Sequence, residues 1–515
     1  MNAAQLLGYP FKRSGRVAAA QARLCPVAWP QARDVPLCVD LDGTLIQIDT
    51  LHELLLATLL KPRCLWRLLG WLAQGRAAFK QRLSQALPLD ASTLPYNDRL
   101  VRYLKAQRAS GRRLVLVTGA DQRLADAVNA HLGLFDEVMA SDGLRNLRGA
   151  AKAQALVERF GAGGFSYVGN DRTDVAVWRE AATGAVVNAA PSVARAAERA
   201  TRIDFAIEPQ RYFWHALVKA LRPYQWVKNL LVFVPIFVSG ALDDVTGWLM
   251  ALMMFGAFCL TASGLYVLND LTDLAADRRH PTKRRRPFAS GALPVAAGVV
   301  LVPGLVLAGA AIAAAGGGLA IVLGYAALSL LYSLKLKEQP LVDIFALAAL
   351  YSLRLFGGGD VSGHPVAPWL IGFSSFLFLS LAAVKRASEL ATFRQGSNRR
   401  PARRGYIGRD RRLLETIGIV ASFASAVVLA LYVQSSWALQ QFARPEWLWL
   451  LVPLFLLWQC RLWLATTRGY MADDPIVYAA KDWVSRQVGC AIVVVFLLGL
   501  YSPESLLAEL WTRAK

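Results

Sequence analysis

Residues Asn269-Asp270-Leu271-Thr272-Asp273-Leu274-Ala275-Ala276-Asp277-Arg278-Arg279-His280 close an apolar run and open a basic one. The run before them, 246–268, is long enough to cross a bilayer, which takes about 20 apolar residues. On a helix Asn269, Asp273 and Asp277 lie four apart and share a face, with Asp270 beside them. Carboxylates crowded at the end of a membrane span repel one another unless a cation sits among them. Hard oxygen ligands of this kind suit Mg²⁺, which keeps waters and bridges to substrate phosphates. Lys283 and Arg286 follow closely, and cations so placed can grip the same phosphates.

Outward from this stretch the chain predicts a polytopic all-α membrane domain over 210–515. Nine apolar spans are expected, at about 226–240, 246–268, 292–313, 318–334, 341–357, 367–385, 414–433, 446–464 and 484–502. Loop 269–291 holds six basic residues and loop 385–413 holds ten, whereas 240–246, 314–318 and 358–366 hold none. That alternation predicts the basic loops on the cytoplasmic side of a plasma (inner) membrane, with the residues before the first span on the same side.

The 515 residues carry 57 Lys+Arg against 36 Asp+Glu, a net charge of +21, and are 55% hydrophobic. Only 18% are charged, against about 25% in soluble proteins, which argues against a purely cytosolic enzyme. An excess of this sign often marks nucleic-acid binding. Its concentration in alternate loops assigns it to topology and phosphate-bearing substrates, and no nucleic acid is expected. The six cysteines and five histidines form no ligand or disulfide spacing, so neither zinc nor a disulfide scaffold is expected.

Further polar residues gather on the predicted cytoplasmic side. Tyr332, Lys335 and Lys337 close the fourth span, Asp343 and Arg354 lie within the fifth, and Lys385, Arg386 and Glu389 end the sixth. Asp473, Asp474 and Asp482 precede the ninth. Ionisable groups at these depths are costly in lipid and by default face a protein cavity. Such a cavity suits a reaction joining a soluble phosphorylated substrate to a lipid.

Residues 36–205 have another character. Pro36–Asp40, Arg112–Thr118 and Phe165–Gly169 are short apolar runs, each followed by Gly or Asp and then a helical pattern. That rhythm predicts a Rossmann-like α/β domain with ligands at the carboxyl ends of its strands. The Leu-rich stretch from 51 to about 90 predicts a helical cap over the site. Asp40 and Asp42, two apart after the first strand, can both reach one phosphate: one attacks phosphorus, the other trades a proton with the leaving oxygen. Residues 1–35 form a basic segment without an apolar core of signal-peptide length.

The Asn-Asp-x-x-Asp-x-x-x-Asp pattern in its nine-span setting resembles the UbiA-type intramembrane prenyltransferase superfamily. Arg222-Pro-Tyr-Gln-Trp-Val-Lys228-Asn229, His280-Pro-x-Lys283-x-x-Arg286-Pro, Tyr332-Ser-Leu-Lys335, Lys385-Arg386-x-x-Glu389 and Asp474-Pro475 followed by Asp482 look most like its decaprenyl-phosphate phosphoribosyltransferase branch. The resemblance covers about 210–505. It implies a diphosphate held by Mg²⁺ between two Asp-bearing helices, with Asn269, Asp270, Asp273 and Asp277 on the first and Asp343 on the facing one. Lys228, Lys283, Arg286, Tyr332 and Lys335 become the phosphate-binding candidates. The implied donor is 5-phosphoribosyl 1-diphosphate and the implied acceptor a polyprenyl phosphate or another isoprenoid lipid. Magnesium and aspartates serve equally a transfer of a prenyl group from prenyl diphosphate to an aromatic or other acceptor, and that alternative stays open. A transporter predicts interrupted helices with internal symmetry, and no repeat of the aspartate pattern is evident.

Asp40-Leu-Asp42-Gly43-Thr44, Thr118-Gly119, Lys152 and Gly169-Asn170-Asp171-x-x-Asp174 resemble the haloacid dehalogenase-type phosphatases. The resemblance implies Asp40 as nucleophile, Asp42 as acid/base, Thr118 and Lys152 as phosphate ligands, and Mg²⁺ held by Asp40 and Asp42 with Asp171 and Asp174. The usual Gly-Asp-x-x-x-Asp carries an amide here, Asn170, and Asp171 is the nearest carboxylate. The linkage of the two domains in one chain suggests a phosphomonoesterase acting on the transferase's product or a related intermediate; a non-catalytic binding domain is the other possibility.

Overall fold

The computed structural model describes residues 35–59, 61, 70–71, 76–86, 89–142, 145–208, 213–391, 405–471 and 474–501. The N-terminal basic segment up to residue 34, part of the basic 385–413 loop, and Asp473 lie outside them. The chain divides into two compact units: Met1–Tyr212 with Arg278–Arg285 and Ala289–Pro294, and Phe213–Asp277 with Arg286–Phe288 and Val295–Lys515.

In the first unit six parallel strands run in the order β3-β2-β1-β4-β5-β6. They are β1 (Leu37–Val39), β2 (Leu114–Asp121), β3 (Glu137–Ser141), β4 (Ser166–Gly169), β5 (Thr183–Val187) and β6 (Ile203–Ile207). The central strands are apolar on both faces, as a sheet covered on both sides requires. Alternate residues separate accordingly: Leu37, Val39, Leu114 and Leu116 enter one core with Leu100, Leu104 and Leu124. Cys38, Val115, Val117 and Tyr167 enter the other with Leu156 and Trp178. β1 lies between β2 and β4, so the carboxyl ends of these three strands are neighbours. Helices α1 (Thr50–Leu59) and α2 (Arg76–Ala86) occupy the expected cap region, joined by Leu54, Phe79 and Leu83. Helix α3 (Ala150–Phe160) follows β3.

The second unit is all-α. Seven of its helices are long and apolar enough to cross a membrane: α4 (Val245–Thr272), α5 (Val295–Ala315), α7 (Val342–Val361), α8 (Pro368–Leu390), α9 (Gly408–Val433), α10 (Pro445–Thr467) and α11 (Trp483–Leu500). Between α5 and α7 runs α6 (Leu319–Leu334), 16 residues long. The predicted nine spans are therefore corrected to seven among the described residues. Span 318–334 becomes α6, about 24 Å at 1.5 Å per residue and short of the roughly 30 Å hydrocarbon thickness. Span 226–240 breaks into a tight helical stretch, Pro223–Phe233, and a single turn, Val234–Val238. Pro235 has no N–H to continue a helix, and the buried Lys228 and Asn229 in this stretch engage neighbouring segments instead. The stretch presses on α7: a side chain at Gly358 would meet the carbonyl oxygen of Val232 at 1.9 Å. α4 and α5 approach as closely, since a Cβ at Gly309 would lie 2.3 Å from Thr261 Oγ1. Small residues at such crossings replace the hydrophobic driving force that lipid removes.

Candidate functional site

In the first unit β1 delivers Asp40 into a tight turn. The Asp40 N–H donates to the Val168 carbonyl of β4 at 2.9 Å, and the Leu45 N–H closes onto the Asp40 carbonyl at 3.2 Å. Gly43 sits at φ +73, and a Cβ there would collide with Asn170 at 2.1 Å, so glycine admits the β4 loop against the turn. Asp42 accepts from the Thr50 backbone N–H at 2.9 Å and the Thr50 hydroxyl at 3.2 Å, fixing its carboxyl at the start of α1. Burial and then the nearby Asp49 push the Asp42 carboxyl up to about 6.

Lys152 projects from α3 and donates to Asp40 Oδ1 at 2.6 Å and to the Tyr167 hydroxyl at 3.0 Å, with Asp174 Oδ1 at 3.6 Å. Tyr167 donates in turn to Asp174 Oδ1 at 2.8 Å, while Asp174 Oδ2 accepts the N–H groups of Asn170 and Asp171, both at 3.0 Å. Burial works against the Lys152 ammonium, but Asp40 and Asp174 outweigh it and raise its pKa. Burial also raises Asp40, with Lys152 opposing. Thr118, fully buried in β2, accepts the Ala120 N–H at 3.0 Å. The structure thus brings Asp40, Lys152 and Asp174 into one network, with Tyr167 as a link that the apolar reading of β4 did not single out.

Asp171 is placed differently. Its carboxylate meets Arg148 at 3.2 Å, the Thr173 hydroxyl at 3.0 Å and the Arg172 N–H at 2.7 Å. The Thr44 hydroxyl lies 3.4 Å from Asp40 Oδ2 and 3.2 Å from Asn170 Oδ1, so the amide oxygen stands beside the Asp40 carboxylate. Asp171 is engaged by Arg148 and Thr173 and Asp174 by the Tyr167 hydroxyl and two backbone N–H groups, while the Asp40 carboxylate stands beside the neutral amide of Asn170. Among the described residues, no group of three or more His, Cys, Asp or Glu side chains is placed to hold a metal.

In the second unit the acidic stretch ends α4. The Asp273 N–H donates to the Asn269 carbonyl at 2.9 Å and the Asp277 N–H to the Asp273 carbonyl at 2.8 Å, so the helical path passes through all three residues. Asp270 and Asp277 are buried, and Arg286 joins them: its Nη1 lies 3.0 Å from Asp270 Oδ1 and 2.6 Å from Asp277 Oδ2. Arg222 also donates to Asp270, and Lys337 lies 3.5 Å from Asp273. A single cationic nitrogen between two carboxylates marks where positive charge is accommodated. Mg²⁺ is commonly held by one or two carboxylates with substrate phosphates and water completing the shell, and this donor set fits it. Lys337 and Arg222 were no more than members of basic motifs in the sequence, yet they face the aspartates. Lys335 is exposed, and so is Lys283, which belongs to the first unit.

Two further polar clusters lie inside the second unit. Asp343, fully buried, pairs with Arg386 and accepts from the Tyr406 hydroxyl at 2.5 Å; Arg386 also bonds Tyr332 and Glu389. Asp343 and Tyr332 thus belong to this cluster, joining α6, α7 and α8. Lys228 lies 2.7 Å and Lys385 3.2 Å from Asp474 Oδ2, and the Tyr351 hydroxyl donates to the same carboxylate. Two ammonium groups sharing one carboxylate leave a net positive charge suited to an anion. Nearby, Arg354 bonds Asn229 Oδ1 at 2.7 Å and the Tyr325 hydroxyl at 3.0 Å.

Residues 230–480 match the UbiA prenyltransferase family, and residues 37–179 match haloacid dehalogenase-like hydrolases. The protein y4nM of Sinorhizobium fredii is 35% identical over 479 residues, which cover 91% of this chain and 92% of that protein. Nodulation protein NoeC of Azorhizobium caulinodans is 37% identical over 287 residues, 54% of this chain and 92% of NoeC. Decaprenyl-phosphate phosphoribosyltransferase of Mycobacterium tuberculosis is 36% identical over 234 residues, 44% of this chain and 76% of that enzyme. Two catalytic-type domains are therefore present, in a polytopic membrane architecture. The chain belongs to the UbiA prenyltransferase family, is homologous to decaprenyl-phosphate phosphoribosyltransferases, and carries a haloacid dehalogenase-like domain at its N-terminal end.

Proposed function

We propose that the membrane domain transfers 5-phosphoribose from 5-phosphoribosyl 1-diphosphate to a polyprenyl phosphate, and that the N-terminal domain then removes the 5-phosphate monoester from that product. The observation that carries the first half is the pairing of Asp270, Asp273 and Asp277 with Arg222, Arg286 and Lys337, together with the Lys228–Asp474–Lys385 cluster. The second cluster keeps one net positive charge, and Arg222, Arg286 and Lys337 would add to it once their carboxylates turn to Mg²⁺, which suits phosphorylated substrates better than a flat aromatic acceptor. The similarity to enzymes named decaprenyl-phosphate phosphoribosyltransferase supports the same donor and acceptor classes.

An oxygen of the acceptor phosphate attacks C1 of the ribose, the bond from C1 to the diphosphate oxygen breaks, and pyrophosphate leaves. Asn269, Asp270, Asp273 and Asp277 would hold Mg²⁺, which supplies charge neutralisation at the leaving diphosphate. Arg286 and Arg222 release carboxylate and turn to phosphate oxygens, and Lys337 does the same beside Asp273. Lys228 and Lys385 steady a second phosphate. Such a transfer needs positioning and charge more than covalent catalysis.

In the N-terminal domain an Asp40 oxygen attacks the phosphorus, the P–O bond to the sugar breaks, and the leaving oxygen takes the proton of Asp42. Water then attacks the aspartyl phosphate, giving its proton to Asp42 and releasing phosphate. Lys152, held by Tyr167 and Asp174, neutralises the transferred group. The basic loops and the N-terminal domain are assigned to the cytoplasmic face of an inner membrane, where a soluble donor is available.

Membranes containing the protein, incubated with ribose-labelled donor, polyprenyl phosphate and Mg²⁺, should yield labelled lipid. Asp273→Ala should lower the yield at least 100-fold, on the scale of losing one preorganised electrostatic contact at a reacting phosphate. Lipid that stays unlabelled, with transfer instead from a prenyl diphosphate, would assign the site to prenyl transfer.

A further inference from the structure

Lys80 in cap helix α2 is not used by the chemistry above. Its Nζ donates to the Gly119 carbonyl at 2.9 Å and to Asn146 Oδ1 at 3.1 Å. Gly119 directly follows Thr118, so the ammonium stands at the carboxyl end of β2, one residue from the threonine that the phosphatase resemblance makes a phosphate ligand. A Cβ on Gly119 would come 3.8 Å from Lys80 Nζ, 3.9 Å from Arg148 Cβ and 3.2 Å from the Leu147 carbonyl, so glycine keeps this corner open. Arg148 flanks the same corner.

Docking the cap does not require a charge here. Both acceptors of Lys80 are neutral, and Gln81 on the same helix already reaches the Asp142 carbonyl at 3.4 Å. The ammonium is partly buried, and burial above all lowers its pKa; the Asp42 carboxylate opposes this most strongly, ahead of the like charges of Arg148 and Lys152. Asp49 adds to that opposition. Lys152 is bound to the nucleophile Asp40 and is committed to the phosphate under attack, which leaves Lys80 for a different anionic group.

We propose that Lys80 is a specificity-determining residue that binds a second anionic group on the substrate, so that the domain selects sugar phosphomonoesters carrying another phosphate or a phosphodiester. The inference rests on the phosphomonoesterase reading above and deepens it. The product assigned to the transferase has this form, with a monoester at C5 and a lipid phosphodiester at C1, but a free bisphosphate shares the chemistry.

Binding tests it without turnover. Full-length protein carrying Asp40→Asn is titrated with ribose 5-phosphate, ribose 1,5-bisphosphate and polyprenyl-phosphoryl ribose 5-phosphate. The two doubly anionic ligands should bind roughly tenfold more tightly than ribose 5-phosphate, the scale of one charge-assisted contact. Adding Lys80→Met should bring the bisphosphate-to-monophosphate ratio to about one, and Lys80→Arg should keep most of it. A further gain for the lipid ligand alone, persisting in Lys80→Met, assigns that gain to the membrane domain. No preference in the Asp40→Asn protein, or a preference untouched by Lys80→Met, overturns the proposal. Phosphate release by the unsubstituted protein is measured beside it: selective binding without release would refute the hydrolytic reading and leave the anion site standing.

Discussion

At the scale of single residues, Asp42 makes the most specific prediction. Its carboxyl is raised from an ordinary 3.8 to about 6 by burial, so it can hold a proton at mildly acidic pH and give it to a leaving alkoxide. Burial raises the nucleophile Asp40 as well, to about 7, so phosphate release from a sugar phosphate should peak between about 6 and 7 and fall at higher pH as Asp42 stays ionised. An aryl phosphate, whose leaving group needs no proton, should show a much weaker fall; equal limbs for both substrates would remove Asp42 from the donor role. The Asp42 shift has a stability sign: the folded state holds this proton more tightly, so the contribution is present below about 4 and lost as pH rises through 6. The residues that carry these arguments were unequally legible. Asp40 and Asp42 are marked by the Asp-x-Asp-Gly-Thr spelling of their own turn, although the ammonium that meets Asp40 comes from Lys152, 112 residues on. Tyr167 and Lys80 act through contacts to residues far along the chain, and a tyrosine inside an apolar strand reads as core until its hydroxyl is found between Lys152 and Asp174.

Among elements, the helices of the second unit are tied by buried charge. Arg386 on α8 is 1% exposed in its side chain and pairs with Asp343 on α7, which is 0% exposed. Replacing Arg386 by Met leaves Asp343 buried without its cation, a change that typically costs about 3–5 kcal/mol. Thermal unfolding in detergent should show a lowered midpoint for Arg386→Met, and the double variant with Asp343→Asn should recover part of it. A midpoint unchanged in the single variant would mean that the pair is solvated. The same scale shows why two predicted spans failed. Hydropathy registers apolar content, and both 226–240 and 318–334 have it; length and proline then decide whether a helix crosses. Pro235 interrupts the first, and α6 stops at 16 residues. The alternation of β1 and β2 between two cores was legible because strands have a period of two, whatever they pack against.

For the whole molecule, the aspartate stretch that ends α4 and the Asp-x-Asp turn after β1 are both proposed to handle phosphate, and relatives such as y4nM align across nearly the full chain. Working in sequence, the transferase would make a lipid-linked ribose 5-phosphate and the N-terminal domain would take its phosphate. Chain linkage alone does not carry that order, because a fused domain can act on an unrelated molecule. The mass of the lipid product decides it. Full-length protein and its Asp40→Asn variant are each supplied with 5-phosphoribosyl 1-diphosphate, polyprenyl phosphate and Mg²⁺, and the lipids are analysed by mass spectrometry. The account predicts polyprenyl-phosphoryl ribose from the unsubstituted protein and the same lipid heavier by one phosphate from Asp40→Asn; identical masses from both, or no ribosylated lipid from either, would contradict it.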